Sequence, residues 1–128
     1  MTTQEVASRL VELCKAHKNF DAMKELYADH IVSVEAVAHP DGTFETAGKV
    51  AVIQKSTDWA GAHEIHSPGT EGPFVADGKF AVVFDFDVTA KATGTRSALR
   101  EIAVYKVEGG KIVHEEFLYA AGDGDLVR

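Results

Sequence analysis

From Ala98 to Tyr119 the chain falls into two alternating sets, the period-2 pattern of strands that bury one face. Glu108-Gly109-Gly110 predicts a three-residue hairpin loop closed by a left-handed glycine, which pairs Val107 with Lys111 and sets odd residues against odd. One face of this hairpin then carries Leu99, Glu101, Ala103, Tyr105, Val113, Glu115, Phe117 and Tyr119. The other carries Arg100, Ile102, Val104, Lys106, Ile112, His114, Glu116 and Leu118. Aromatic rings around Glu101 and Glu115 suit a lined cavity better than a dry core.

The period is helical at the start. Thr2-x-x-Glu5 fits a capping box, and Val6, Leu10, Leu13 and Cys14 recur at helical spacing, predicting a helix to about Lys18. Asn19 is set to cap a second helix with a stripe of Phe20, Met23, Leu26 and Tyr27. The β-rich run Ile31–Val37 puts Ile31, Ser33, Glu35 and Val37 on one face, and Thr43–Thr46 follows a turn as a brief return strand. Gly48 to Gly61 reads as a third helix, with Val52, Ser56 and Trp59 on one stripe. His63–Ser67 reads as a strand and Pro68–Gly72 as a turn-rich break. Pro73–Ala76 and Lys79–Ala90 form a hairpin across Asp77-Gly78, in which Phe80, Val82, Phe84, Phe86 and Val88 share a face. Two helices, a strand, a helix and an antiparallel meander make an α+β fold.

The 128 residues are expected to form one domain spanning 1–128, with 45% hydrophobic and 26% charged residues, as in globular proteins. A formal net charge of -7 argues against nucleic acid and anionic membrane surfaces as partners. The lone Cys14 cannot form an internal disulfide, and Met1-Thr2-Thr3-Gln4-Glu5 lacks a secretory leader pattern, so the expected location is cytoplasmic.

Four short motifs in this order carry a resemblance: Leu26-Tyr27-Ala28-Asp29, Gly48-Lys49, Thr93-Gly94-x-Arg96 and Gly110-Lys111-Ile112-Val113. From Val6 to Tyr119 the chain resembles the SnoaL-like branch of the nuclear-transport-factor-2-like superfamily. That resemblance implies a cone-shaped, cystatin-like α+β barrel: a curved sheet, mixed or antiparallel, wrapped around the N-terminal helices with a pocket at the open end. The superfamily includes ketosteroid isomerases, polyketide cyclases, limonene epoxide hydrolases, scytalone dehydratases and non-enzymatic binding domains, so fold leaves function open. Ketosteroid isomerases carry a carboxylate base eight residues past the motif Tyr, where this chain has Glu35. Their oxyanion donors align with Val11 and Ala103, and the Arg-x-Asp pair and further Asp of limonene epoxide hydrolases align with Phe84, Phe86 and Phe117, so neither reaction carries over.

Glu35, Glu101 and Glu115 are the candidate catalytic residues, since each shares a strand face with apolar or aromatic side chains. A carboxyl in such surroundings is poorly solvated when charged, and neighbouring carboxylates add to the effect, so its pKa should rise toward neutrality. Such a group removes a proton and returns it, while Tyr105 and Tyr119 can stabilise an enolate by hydrogen bonding. Trp59, His63, Phe74, Phe84, Phe86, Tyr105, Phe117 and Tyr119 are the candidate ligand-binding residues. His63-x-x-His66 is the one close histidine pair, and a strand points the two oppositely, so no metal site is expected and no cofactor motif is present.

Two readings stand side by side, ahead of a third, a protein-interaction dimer like the transport factor itself, for which no residue points to a partner. One is a cofactor-free enzyme of isomerase, cyclase or lyase type that removes a proton next to the carbonyl of a hydrophobic substrate. The other is a non-catalytic domain that binds a small apolar ligand, with Glu101 and Glu115 merely bonded to tyrosine hydroxyls or solvent. On the opposite sheet face Ile102, Val104, Ile112 and Leu118 lie within a charged border, the composition of a homodimer contact.

Overall fold

A computed structural model describes residues 1–119. The first helix, α1 (Thr3–Lys15), opens with the expected capping box: Thr2 Oγ1 accepts from the Glu5 amide at 3.1 Å, and Glu5 Oε1 accepts from the Thr2 amide at 2.8 Å. It stops three residues earlier than its periodicity suggests, because His17 takes a left-handed φ of 60° and the Lys18 amide turns back to the Leu13 carbonyl. The reversal makes Lys18, not Asn19, the cap position of α2 (Asn19–Leu26), with no side-chain cap. Buried Ala22 and Leu26 anchor α2, while Phe20 and Met23 are only half-buried.

The strands are β1 (Tyr27–Val34), β2 (Glu45–Ala47), β3 (His63–Ala76), β4 (Lys79–Ala90), β5 (Arg96–Glu108) and β6 (Lys111–Leu118), and α3 (Lys49–Ala62) lies between β2 and β3. They form one mixed sheet in the order β2-β1-β6-β5-β4-β3, antiparallel except for the β1–β6 pair. Among the described residues β2 and β3 are its free edges, so the curved sheet stays open and is not a closed barrel. The core gathers Val6, Leu10 and Val11 of α1, Ile31 of β1, Val52 of α3, Phe80 and Val82 of β4, and Ala103 and Tyr105 of β5.

Two local features depart from the pattern read along the chain. Pro68–Gly72 does not break the sheet; it lies within β3, a single 14-residue strand with register shifts between Ile65 and Ser67 and between Glu71 and Phe74. A proline cannot donate to a ladder, but an edge strand leaves one side unpaired and tolerates it. The β5–β6 turn holds two residues, not three: Glu108 pairs with Lys111 across Gly109 and Gly110, whose φ angles of 59° and 76° match a type I′ hairpin. A bulge at Val113 then restores the parity, so Tyr105 faces Glu115 and Ala103 faces Phe117. Below that bulge the faces exchange, and Ile112, expected on the outer face, is 0% exposed within the core.

Candidate active site

A cavity of about 510 Å³ opens between the helices and the concave side of the sheet. Its apolar wall comes from Leu10 and Cys14 of α1, Phe20 and Met23 of α2, Trp59 of α3, Phe84 and Phe86 of β4, and Phe117 of β6. The alternation of β4 and β5 turns Phe84, Phe86, Glu101 and Tyr105 into this cavity. Phe84 pairs across the ladder with Glu101, and Tyr105 with Glu115, so inward positions on neighbouring strands meet. Phe84 and Phe86 stack at 6.2 Å between centroids, and Trp59 leans on Phe86 at 5.5 Å.

The three carboxyls do converge, but they are not equivalent. Glu35, just past the end of β1, borders the cavity with both oxygens engaged. Lys55 Nζ donates to Oε1 at 2.8 Å, and the Tyr119 hydroxyl donates to Oε2 at 2.9 Å. Lys55 also donates to Ser33 Oγ at 2.8 Å and lies 5.6 Å from the centre of the Phe117 ring. Lys55 is a site residue outside the Val52, Ser56 and Trp59 stripe that the helical period picks out. The signal was there: Lys55 follows Val52 by three residues and precedes Trp59 by four, which puts it on the inward face of α3.

Glu101 also borders the cavity and is 7% exposed. Among the described residues no hydrogen bond reaches its carboxyl, and no fully enclosed polar atom is left unpaired, so its oxygens open on the cavity. Burial first, and the Glu35 and Glu115 carboxylates second, push its pKa up to about 8, against the opposing pull of Lys55.

Glu115 stands behind the cavity wall, 1% exposed, and accepts a hydrogen bond from the Tyr27 hydroxyl. Burial raises its pKa, while the Tyr27 hydrogen bond and Lys55 pull it back. Burial, then the Glu115 charge, also raises the Tyr27 and Tyr105 hydroxyls, so both remain protonated.

Several expected ligand contacts lie elsewhere. Tyr119 is spent on Glu35 and does not border the cavity; burial and then the Glu35 charge raise its pKa. His63 is buried behind Trp59, its ring stacked at 4.5 Å and its Nδ1 donating to the Trp59 carbonyl at 2.8 Å, so it backs the wall without facing the cavity. Phe74 is 54% exposed, since it pairs with Ala81, an outward position of β4. Among the described residues no three His, Cys, Asp or Glu side chains are grouped to hold a metal ion, and no helix is long and apolar enough to cross a membrane.

The SnoaL-like domain family matches residues 1–119. The chain belongs to the SnoaL-like family. A solved protein of Mesorhizobium loti, whose name proposes a SnoaL-like polyketide cyclase with carbohydrate phosphatase in brackets, is 43% identical at a TM-score of 0.88, over 93% of this chain and 100% of its own. Two more distant structures share the fold. An NTF2-like protein of Burkholderia thailandensis is 17% identical at a TM-score of 0.78, over 94% of this chain and 92% of its own. A Xanthomonas campestris protein with a cystatin-like fold is 12% identical at 0.75, over 99% and 97%. No curated protein matches the chain. The α+β fold with a curved mixed sheet, expected from the motifs of this SnoaL-like chain, is the one observed, with the sheet left open and not closed into a barrel.

Proposed function

We propose that this SnoaL-like protein is a cofactor-free enzyme of the isomerase or cyclase type, removing a proton next to the carbonyl of a hydrophobic substrate with Glu35 as base. The observation that carries the reading is a carboxylate at the edge of an aromatic-walled cavity, held in place by an ammonium on one oxygen and a phenol on the other. Fixing the base before the substrate arrives removes reorganisation from the reaction step. The C–H bond breaks, its proton passes to Glu35, and its electron pair forms the C=C bond of an enolate as the carbonyl electrons move to oxygen. Tyr105, which borders the cavity and stays protonated, can donate to that oxygen. Return of the proton to a different carbon gives isomerisation; attack of the enolate carbon on a second carbonyl gives cyclisation. The Mesorhizobium protein's name fits the second outcome. Its bracketed phosphatase name fits this cavity poorly, because the Glu35 carboxylate borders it and Lys55, the one ammonium among the described lining residues, is already bonded to Glu35.

Deuterium exchange tests the proposal. A hydrophobic enolisable ketone in D2O should lose its α-protons faster with the protein than without. Glu35→Gln should slow this by about 10²- to 10⁴-fold, the usual worth of a positioned general base, while ketone binding persists. Equal exchange in the variant would remove Glu35 from the chemistry. Binding without any exchange above buffer would favour the alternative, a non-catalytic pocket in which the Lys55 contact neutralises Glu35.

A further inference from the structure

We propose that Glu101 sets the ligand class of this cavity: as a hydrogen-bond donor it takes up an acceptor oxygen on an uncharged apolar molecule, and it turns carboxylates away. The proposal rests on the reading above only in treating this cavity as the ligand site, not on the proton-transfer step.

The geometry begins with the ladder. Glu101 lies on β5 between Leu99 and Ala103 on the buried face, opposite Phe84 of β4. Its neighbours inside the sheet leave its carboxyl with no partner among the described residues, although 93% of the residue is buried by the complement of its 7% exposure. The other two carboxyls are provided for: Glu35 by Lys55 and Tyr119, Glu115 by Tyr27. No enclosed polar atom among the described residues is left unpaired, so the Glu101 oxygens open on the cavity and take their partner from it. A ligand atom is therefore the missing partner.

The sign of that atom follows from the surrounding charges. From the end of β1 comes Glu35, from β6 Glu115, and from α3 Lys55, so the carboxylates outnumber the one ammonium. The remaining titratable groups around the cavity are the Tyr27 and Tyr105 hydroxyls, the Cys14 thiol of α1, and the exposed His17 and His66 at its rim. In this field Glu101 holds its proton at neutral pH, with a pKa of about 8. A protonated carboxyl offers one O–H, which matches a carbonyl or ether oxygen. An anion would meet the Glu35 carboxylate at the cavity edge and the Glu115 charge behind the wall, with Lys55 already bonded to Glu35 and Ser33.

Three probes on one ring system separate the outcomes: 2-acetylnaphthalene (neutral), 2-naphthoate (anion) and 2-naphthylmethylammonium (cation), titrated by calorimetry into the full chain. The neutral ketone should bind tightest at about pH 7 and about tenfold more weakly at about pH 9, as Glu101 loses its proton. Glu101→Gln should bind the ketone with little pH dependence, because its amide donates at either pH; that also separates Glu101 from His17 and His66, which the variant retains. Glu101→Leu, without a donor, should bind it weakly throughout. Preference for the ammonium, rising with pH, would overturn the proposal, as would naphthoate binding on a par with the ketone or a pH step that survives in Glu101→Gln. Because no turnover is measured, failure of the deuterium-exchange test with these binding results intact would strike the enzymatic reading and leave the ligand class standing.

Discussion

Lys55 Nζ lies 2.8 Å from Glu35 Oε1, a contact that ties α3 to the end of β1 across the mouth of the cavity. The glutamate is buried and the lysine is partly exposed, so the pair is neither a surface bridge of little worth nor a fully desolvated one. Removing the ammonium leaves the buried Glu35 carboxylate with only the Tyr119 hydroxyl as donor among the described residues. Lys55→Met should therefore cost about 2–3 kcal/mol in urea unfolding at neutral pH. The double variant Lys55→Met, Glu35→Gln should recover most of that loss, since neither charge remains. A Lys55→Met protein as stable as the parent would mean the contact holds nothing together.

Glu101 makes the opposite contribution. Its folded pKa of about 8 exceeds the reference value of 4.5, so the folded chain keeps a proton that the unfolded chain has lost across that window. Stability from this group thus falls as pH rises from about 4.5, and the full cost is reached above about 8. Glu101→Gln should gain little melting temperature near pH 5 and several degrees, roughly, near pH 9. A gain independent of pH would place the effect in packing and not in ionisation.

Much of this was legible along the chain, and the rest was hidden for identifiable reasons. The alternations of β4 and β5 put Phe84, Phe86, Glu101 and Tyr105 on one face because each strand buries one side only. Register on β6 was harder: Glu108-Gly109-Gly110 satisfies a three-residue loop as well as a two-residue one, and only the bulge at Val113 decides where Ile112 points. Phe74 needed no such correction: the hairpin across Asp77-Gly78 already sets it opposite Ala81, on the outward face of β4. Lys55 shows a different limit, since a long side chain reaches a partner on another element that no local period can name.

The hidden carboxyl offers a third check. Glu115 is enclosed, and the Tyr27 hydroxyl is its hydrogen-bond donor. Tyr27→Phe keeps the ring and deletes the donor, which should destabilise by about 1–3 kcal/mol, the usual cost of a buried polar group losing its partner. Adding Glu115→Met, which removes the acceptor as well, should restore much of the loss. If Tyr27→Phe unfolds at the same denaturant concentration as the parent, another group satisfies Glu115.

The outer face of the sheet leads to the last expectation, self-association. Ile102 and Leu118 face each other across the β5–β6 ladder at 42% and 45% exposure, with Val104 half-buried beside them. Arg100, which pairs with Asp85 and Glu71, and Lys106 and Glu116 surround this centre with both signs of charge. A twofold copy of such a patch can set basic groups against acidic ones while burying the aliphatic middle, as an isologous interface requires. Sedimentation equilibrium of the full chain should therefore give twice the chain mass at micromolar concentration. Ile102→Asp should weaken the dimer by about 2 kcal/mol, roughly thirtyfold, because an aspartate at the centre of the contact must be desolvated without a partner. A monomer at every concentration, or a dimer indifferent to Ile102→Asp, would show that this face meets something other than its own copy.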